Sequence, residues 1–122
     1  MIMKFTTPLI NNHEFRRLYS KGRSAATQYA VVYCKRNGKS FNRLGITVST
    51  KLGGAVQRNR IRRRLKEVYR LNEGDISIGY DIVLVARLKS RHAKFSELES
   101  TVLSILRILG ISRDTSAEGN AR

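Results

Sequence analysis

The segment YDIVLVAR, residues 80–87, constrains the fold most tightly. Residues 82–86 are all apolar, so they offer water no polar face. The run is too short to cross a bilayer, which takes about 20 residues in a helix. A short continuous apolar run fits a strand buried on both faces. Such a strand belongs at the centre of a sheet with helices packed against it.

The flanking sequence supplies the other parts. NNHEFRRLYSKG, residues 11–22, reads as a short helix capped by Asn11 or Asn12 and ended by Gly22. Phe15, Leu18 and Tyr19 share one of its faces. RSAAT, residues 23–27, is ambiguous between loop and a short extended piece. QYAVVYCKR, residues 28–36, alternates as a strand: Tyr29, Val31 and Tyr33 point one way, Ala30, Val32 and Cys34 the other. Asn37-Gly38 signals a hairpin turn, with RLGITVST, residues 43–50, as the returning strand. Residues 51–70 form an amphipathic helix whose apolar side carries Val56, Ile61, Leu65, Val68 and Tyr69. NEGDISIG and LKSRHAK read as loops around the central strand. A further amphipathic helix covers residues 96–110, with Ser96 as its cap, Glu97 and Glu99 in its first turn and Gly110 at its end. The last segment, residues 111–122, is polar and irregular and is expected to be a disordered tail. The chain of 122 residues shows no repeat or linker. The expectation is a single α/β two-layer sandwich over residues 1–110, in the order α-β-β-β-α-β-α, with helices packed on one mixed sheet.

Charge narrows the function. The formal net charge is +15, far beyond what solubility requires. A field of that sign favours a polyanion, nucleic acid before an anionic membrane surface. No apolar segment is long enough to span a membrane, and the N-terminal segment lacks a secretory pattern, so a cytoplasmic protein is expected. The single cysteine, Cys34, allows no disulfide within the chain and reads as a buried structural thiol.

Catalytic signals are absent from the pattern. His13 and His92 are far apart and read as lone surface residues. The nine carboxylates are scattered, and no spacing resembles zinc ligation, a phosphate-binding loop or a dinucleotide fingerprint.

Binding signals concentrate in KLGGAVQRNRIRRRLKEVYR, residues 51–70, with eight cations and the single acid Glu67. On a helix, Arg58, Arg62 and Lys66 fall on one line, Arg60 and Arg64 on a second, Asn59 and Arg63 on a third. Six of the eight cations are arginine, whose guanidinium grips phosphate bidentately. Glu67 has Arg63 or Arg64 as a partner one turn back, which cannot neutralise the group. Gly53 and Gly54 precede the helix, where free N–H groups favour anions. Phe15, Tyr19, Tyr29 and Tyr33 lie near Arg16, Lys21 and Lys35; they fit either the core or a stacking platform for single-stranded nucleic acid.

On these residues the sequence resembles the protein subunit of bacterial ribonuclease P. The family's signature is matched by Lys51, Gly53, Ala55, Val56, Arg58, Asn59 and Arg60, then Arg62 and Arg63. EFRRLYSKGR resembles the family's first helix, RLGITVS its strand before the motif and YDIVLVAR its last strand, so the likeness spans residues 11–110. It implies an RNA-binding domain that partners a large catalytic RNA. That RNA removes the 5′ leader of precursor tRNA by magnesium-dependent hydrolysis, the magnesium bound mainly by the RNA, with no small-molecule cofactor. Lys51, Arg58, Asn59, Arg60, Arg62, Arg63 and Lys66 would bind the catalytic RNA. Phe15, Tyr19 and Tyr33 would line a cleft for the leader. The likeness also implies a left-handed crossover around the basic helix, against the usual hand. Two other readings compete: a ribosomal-type structural RNA-binding protein, and a nuclease whose active site is protein alone.

Overall fold

A computed structural model describes residues 3–112. Its centre is strand β5 (Tyr80–Ala86), as its apolar run demands. The other elements are β1 (Thr6–Pro8), α1 (Asn12–Lys21), β2 (Arg23–Ala26), β3 (Ala30–Arg36), β4 (Asn42–Thr47), α2 (Ala55–Asn72) and α3 (Phe95–Ile108). The five strands make one mixed sheet in the order β1-β4-β5-β3-β2. β5 runs parallel to β4 and antiparallel to β3. The α/β arrangement and element order expected from the sequence hold, and a short strand at the start of the described chain is added.

Helices cover the sheet unequally. α2 and α3 pack on the face carrying Val32, Cys34, Ile82 and Leu84, all fully buried. α1 crosses the opposite face, where Leu18 meets Leu9 and Val83. Ile61, Leu65, Val68 and Tyr69 of α2 are buried. Each such side chain contributes about 1.5–3 kcal/mol through burial, enough to hold a helix whose other sides repel one another.

Several local expectations change. Asn37-Gly38 does turn the chain, with Gly38 at φ 71° and the Lys39 N–H donating to Asn37 Oδ1 at 2.8 Å. It makes no hairpin, because β5 lies between β3 and β4. The turn signal reports backbone curvature, whereas burial on both faces decides which strand takes the centre. RSAAT resolves as β2, paired antiparallel with β3. α3 begins after Lys94, whose N–H donates to Glu97 Oε1 at 2.7 Å, so Ser96 lies inside the helix and is not its cap. Tyr29 precedes β3 and packs toward α3, its hydroxyl donating to Glu97, and so leaves the face of Tyr33. Cys34 is fully buried, and that burial pushes its thiol pKa up against the lowering effect of Arg23. The expected tail lies outside the described residues from 113 onward; Ile111 is fully buried and Ser112 bridges Ile76.

Glu73, at the turn after α2, fastens β1. Its carboxylate accepts the N–H groups of Lys4 and Phe5 at 2.7 and 2.9 Å and the Thr6 hydroxyl at 2.6 Å. Burial pushes its pKa up, but these donors outweigh burial and hold it below the usual range.

Candidate nucleic-acid interface

α2 is a ridge with one apolar side and three basic ones. Successive residues turn by about 100°. With Ile61, Leu65, Val68 and Tyr69 facing inward, Arg58, Arg62 and Lys66 run along one flank and Arg60 and Arg64 along the other. Asn59 and Arg63 ride the exposed crest. Val56 sits about 140° round from Ile61 on this spacing. It is 86% exposed and does not join the apolar side.

The chain enters this ridge through a short turn. Lys51 is exposed there, its N–H donating to Ser49 Oγ at 3.2 Å. Gly53 has φ 129°, a conformation that side chains rarely adopt. Gly54 stands at the N-cap of α2, and its carbonyl accepts the Arg58 N–H at 2.9 Å.

Most of the ridge cations lack an acidic partner. Glu67 does not pair with Arg63 or Arg64; Arg70 grips both its oxygens at 2.9 and 2.7 Å. Those hydrogen bonds lower the Glu67 pKa against the effect of burial. Arg64 spans to α3's approach and donates to the Ala93 carbonyl at 2.6 Å. Burial, then repulsion from Arg60, lowers its pKa. Arg62 donates to Asn59 Oδ1 at 2.9 Å, which holds the two side chains together. Among the described residues, Arg58, Arg60, Arg62, Arg63 and Lys66 form no ion pair. The Arg58 Nε is shielded from solvent and has no hydrogen-bond acceptor among those residues.

Phe15, Tyr19 and Tyr33 come together beside this ridge. The rings of Phe15 and Tyr19 are 6.4 Å apart, and Tyr33 meets Tyr19 edge-on at 4.9 Å. Tyr19 is 40% exposed, and its hydroxyl lies 2.8 Å from Thr47 Oγ1. Phe15 rests over Gly45, where an added Cβ would come within 2.5 Å of the ring. The seat of α1 is fixed by Arg43, bonded to Glu14 at 2.5 Å and to both oxygens of Asp81 at 2.8 and 2.7 Å. The Asp81 hydrogen bond is the main cause that raises the Arg43 pKa, with burial opposing.

Two recesses lie between α1, the sheet edge and α2. One, of about 370 Å³, is lined by Thr7, Phe15, Gly45, Arg62 and Lys66 among others. The second, of about 490 Å³, includes Phe15, Arg16, Tyr19, Thr47 and Arg62. Phe15 and Arg62 belong to both, so aromatic floor and basic wall form one trough. Tyr33 lines neither recess and stands behind Tyr19. Sequence reasoning assigned Arg62 to the basic helix alone and missed Gly45 and the β1 wall. Pro8 was the available signal for β1, since proline within a sheet marks an edge.

His13 and His92 are both exposed. Among the described residues no three His, Cys, Asp or Glu side chains gather, and no helix is long and apolar enough to cross a membrane.

The chain's likeness to known proteins is extensive. A family model described as Ribonuclease P matches residues 3–110. The ribonuclease P protein component of Alkaliphilus metalliredigens is 42% identical over 105 residues, covering 86% of this chain and 95% of the relative. That of Clostridioides difficile is 41% identical over 108 residues, covering 88% and 95%. The solved RNase P protein of Staphylococcus aureus superposes with a TM-score of 0.78 at 32% identity, over 88% of this chain and 97% of that one. The Thermotoga maritima protein gives a TM-score of 0.77 at 32% identity, over 83% and 96%.

Proposed function

The chain belongs to the ribonuclease P protein family, and from that membership we propose that it is the RNA-binding component of a tRNA-processing endoribonuclease whose catalytic subunit is RNA. The observation that carries the reading is the trough in which Arg62 and Phe15 meet. Around it, α2 and the turn before it set Lys51, Arg58, Asn59, Arg60, Arg62, Arg63 and Lys66 against the catalytic RNA. The aromatic floor of Phe15 and Tyr19, backed by Tyr33, grips the single-stranded 5′ leader of precursor tRNA. Stacking holds unpaired bases without demanding a sequence, which suits leaders that differ from one tRNA to the next. The protein works in the cytoplasm, where its substrate is made. No feature favours the ribosomal-type alternative.

Magnesium is assigned mainly to the RNA, since no three acidic, His or Cys side chains gather among the described residues. It requires a hard oxygen cage, usually with carboxylates. Glu14 and Asp81, at the seat of α1, are both held by Arg43, and Glu73, behind Thr6, is filled by three donors. The chain's own contribution is to offset phosphate repulsion where RNA strands converge.

The test is leader removal by the reconstituted complex across a magnesium titration. Replacing Arg58 and Arg60 with Ala is expected to weaken assembly with the RNA at least roughly tenfold and to raise the magnesium requirement. Unchanged cleavage at low magnesium would sink the reading. Leader removal by the protein free of RNA would instead favour a protein active site.

A further inference from the structure

The far flank of α2 also faces an aromatic ring. Arg60, Arg63, Arg64 and Glu67 line a recess of about 440 Å³ with Phe95, the first residue of α3. Phe95 is half-buried, packed against the core yet part of the recess wall. The acids on this side are already engaged: Glu67 with Arg70, and Glu97 with the Lys94 N–H and the Tyr29 hydroxyl. Arg64 is tied to the Ala93 carbonyl, which fixes the groove's width two residues before Phe95. Arg60 and Arg63 are exposed and form no ion pair among the described residues. The α1 trough therefore has a counterpart across the ridge, again an aromatic ring below unpaired guanidinium groups.

We propose that this α2–α3 groove is a second RNA contact, in which an unpaired nucleotide stacks on Phe95 while its phosphate lies between Arg60 and Arg63. The proposal rests on the RNA-binding reading above, which already gives Arg60 and Arg63 to RNA, and adds the ring of Phe95 as the base-holding partner that reading leaves unassigned. Charge selects a polyanion, and the ring selects one that carries planar bases. Arg64 is a positioning residue here, holding the wall and not the ligand. With both grooves filled, the ridge would be gripped from two sides, its crest pressed between strands.

The probe is a short oligouridylate carrying 4-thiouridine, bound to the full chain. A Phe15→Leu chain serves as reference, so that the α1 trough contributes little. Ultraviolet crosslinks are expected on the peptide containing Phe95. Adding Phe95→Leu should weaken binding about tenfold while leaving its salt dependence unchanged, and Phe95→Tyr should restore it. Thermal melting identifies any variant that has lost its fold, and the crosslink on the chain with native Phe95 does not depend on that variant. Equal binding by the Leu and Phe forms, or crosslinks confined to α1, would overturn the proposal while leaving the RNA-binding reading intact. Displacement by an oligoglutamate at equal affinity, indifferent to Phe95, would reduce the groove to a cationic patch and overturn it as well. Failure of the unmodified chain to hold the oligonucleotide at all would overturn the groove, whereas failure to assemble with the catalytic RNA in the reconstitution above would remove the RNA-binding reading itself.

Discussion

Gly45 shows how one missing methyl group shapes the aromatic floor of the trough. Its lack of a Cβ is what lets the Phe15 ring lie on the sheet. Gly45→Ala is expected to push the ring outward, because the obstructing atoms belong to a movable side chain. Overpacking of this kind costs about 1–3 kcal/mol. Affinity for precursor tRNA should fall about tenfold while mature tRNA binds as before, measured by fluorescence anisotropy on both. Equal losses for the two RNAs would separate Gly45 from leader binding. The aromatics of this floor were legible from spacing and resemblance. Gly45 was not, since a strand glycine carries no mark of what will rest on it. Glu67 was misassigned for a related reason: helical spacing was read back one turn to Arg63 or Arg64, and the folded rotamers choose Arg70, one turn on.

At the scale of elements, β1 has only three residues paired with β4, and one carboxylate fastens the chain that leads into it. Glu73→Gln keeps the shape and removes the charge, so charge-assisted hydrogen bonds become ordinary ones. A loss of about 2 kcal/mol is expected, seen as a lower melting temperature and faster hydrogen exchange at the Lys4 and Phe5 amides. The pH dependence follows from the sign of the shift. A carboxylate with a depressed folded pKa contributes its full stabilisation above the unfolded glutamate value, about 4.3. That contribution is lost as pH falls through the lower folded value. The unmodified chain should therefore lose stability more steeply than the Gln variant on acidification below about pH 4.3; parallel melting curves would exclude Glu73 as the latch. The helices and the central strand were readable because their apolar periods are long. β1 was not, because it is three residues long, its partner strand β4 begins only at Asn42, and its latch Glu73 lies beyond α2.

For the whole molecule, the net charge of +15 and the unpaired ridge cations set the response to salt. The logarithm of affinity for RNA should fall by about 0.7–0.9 per logarithmic unit of salt for each phosphate contacted. Arg63→Ala, a change on the crest that removes no core contact, should reduce that slope by about one contact's worth. An unaltered slope would mean that the crest meets no phosphate. The α/β class was legible from the order of the elements, whereas the order of strands was not. Asn37-Gly38 pointed to neighbours in sequence, and only the two-sided burial of β5 reveals the insertion between them. That insertion has a consequence for a chain made from its N-terminus. β3 and β4 are synthesised long before the strand that must join them, and each waits with an unsatisfied inner edge. The two halves of the sheet cannot be united until the ribosome has released residues 80–86, so no shorter nascent chain can close this sheet.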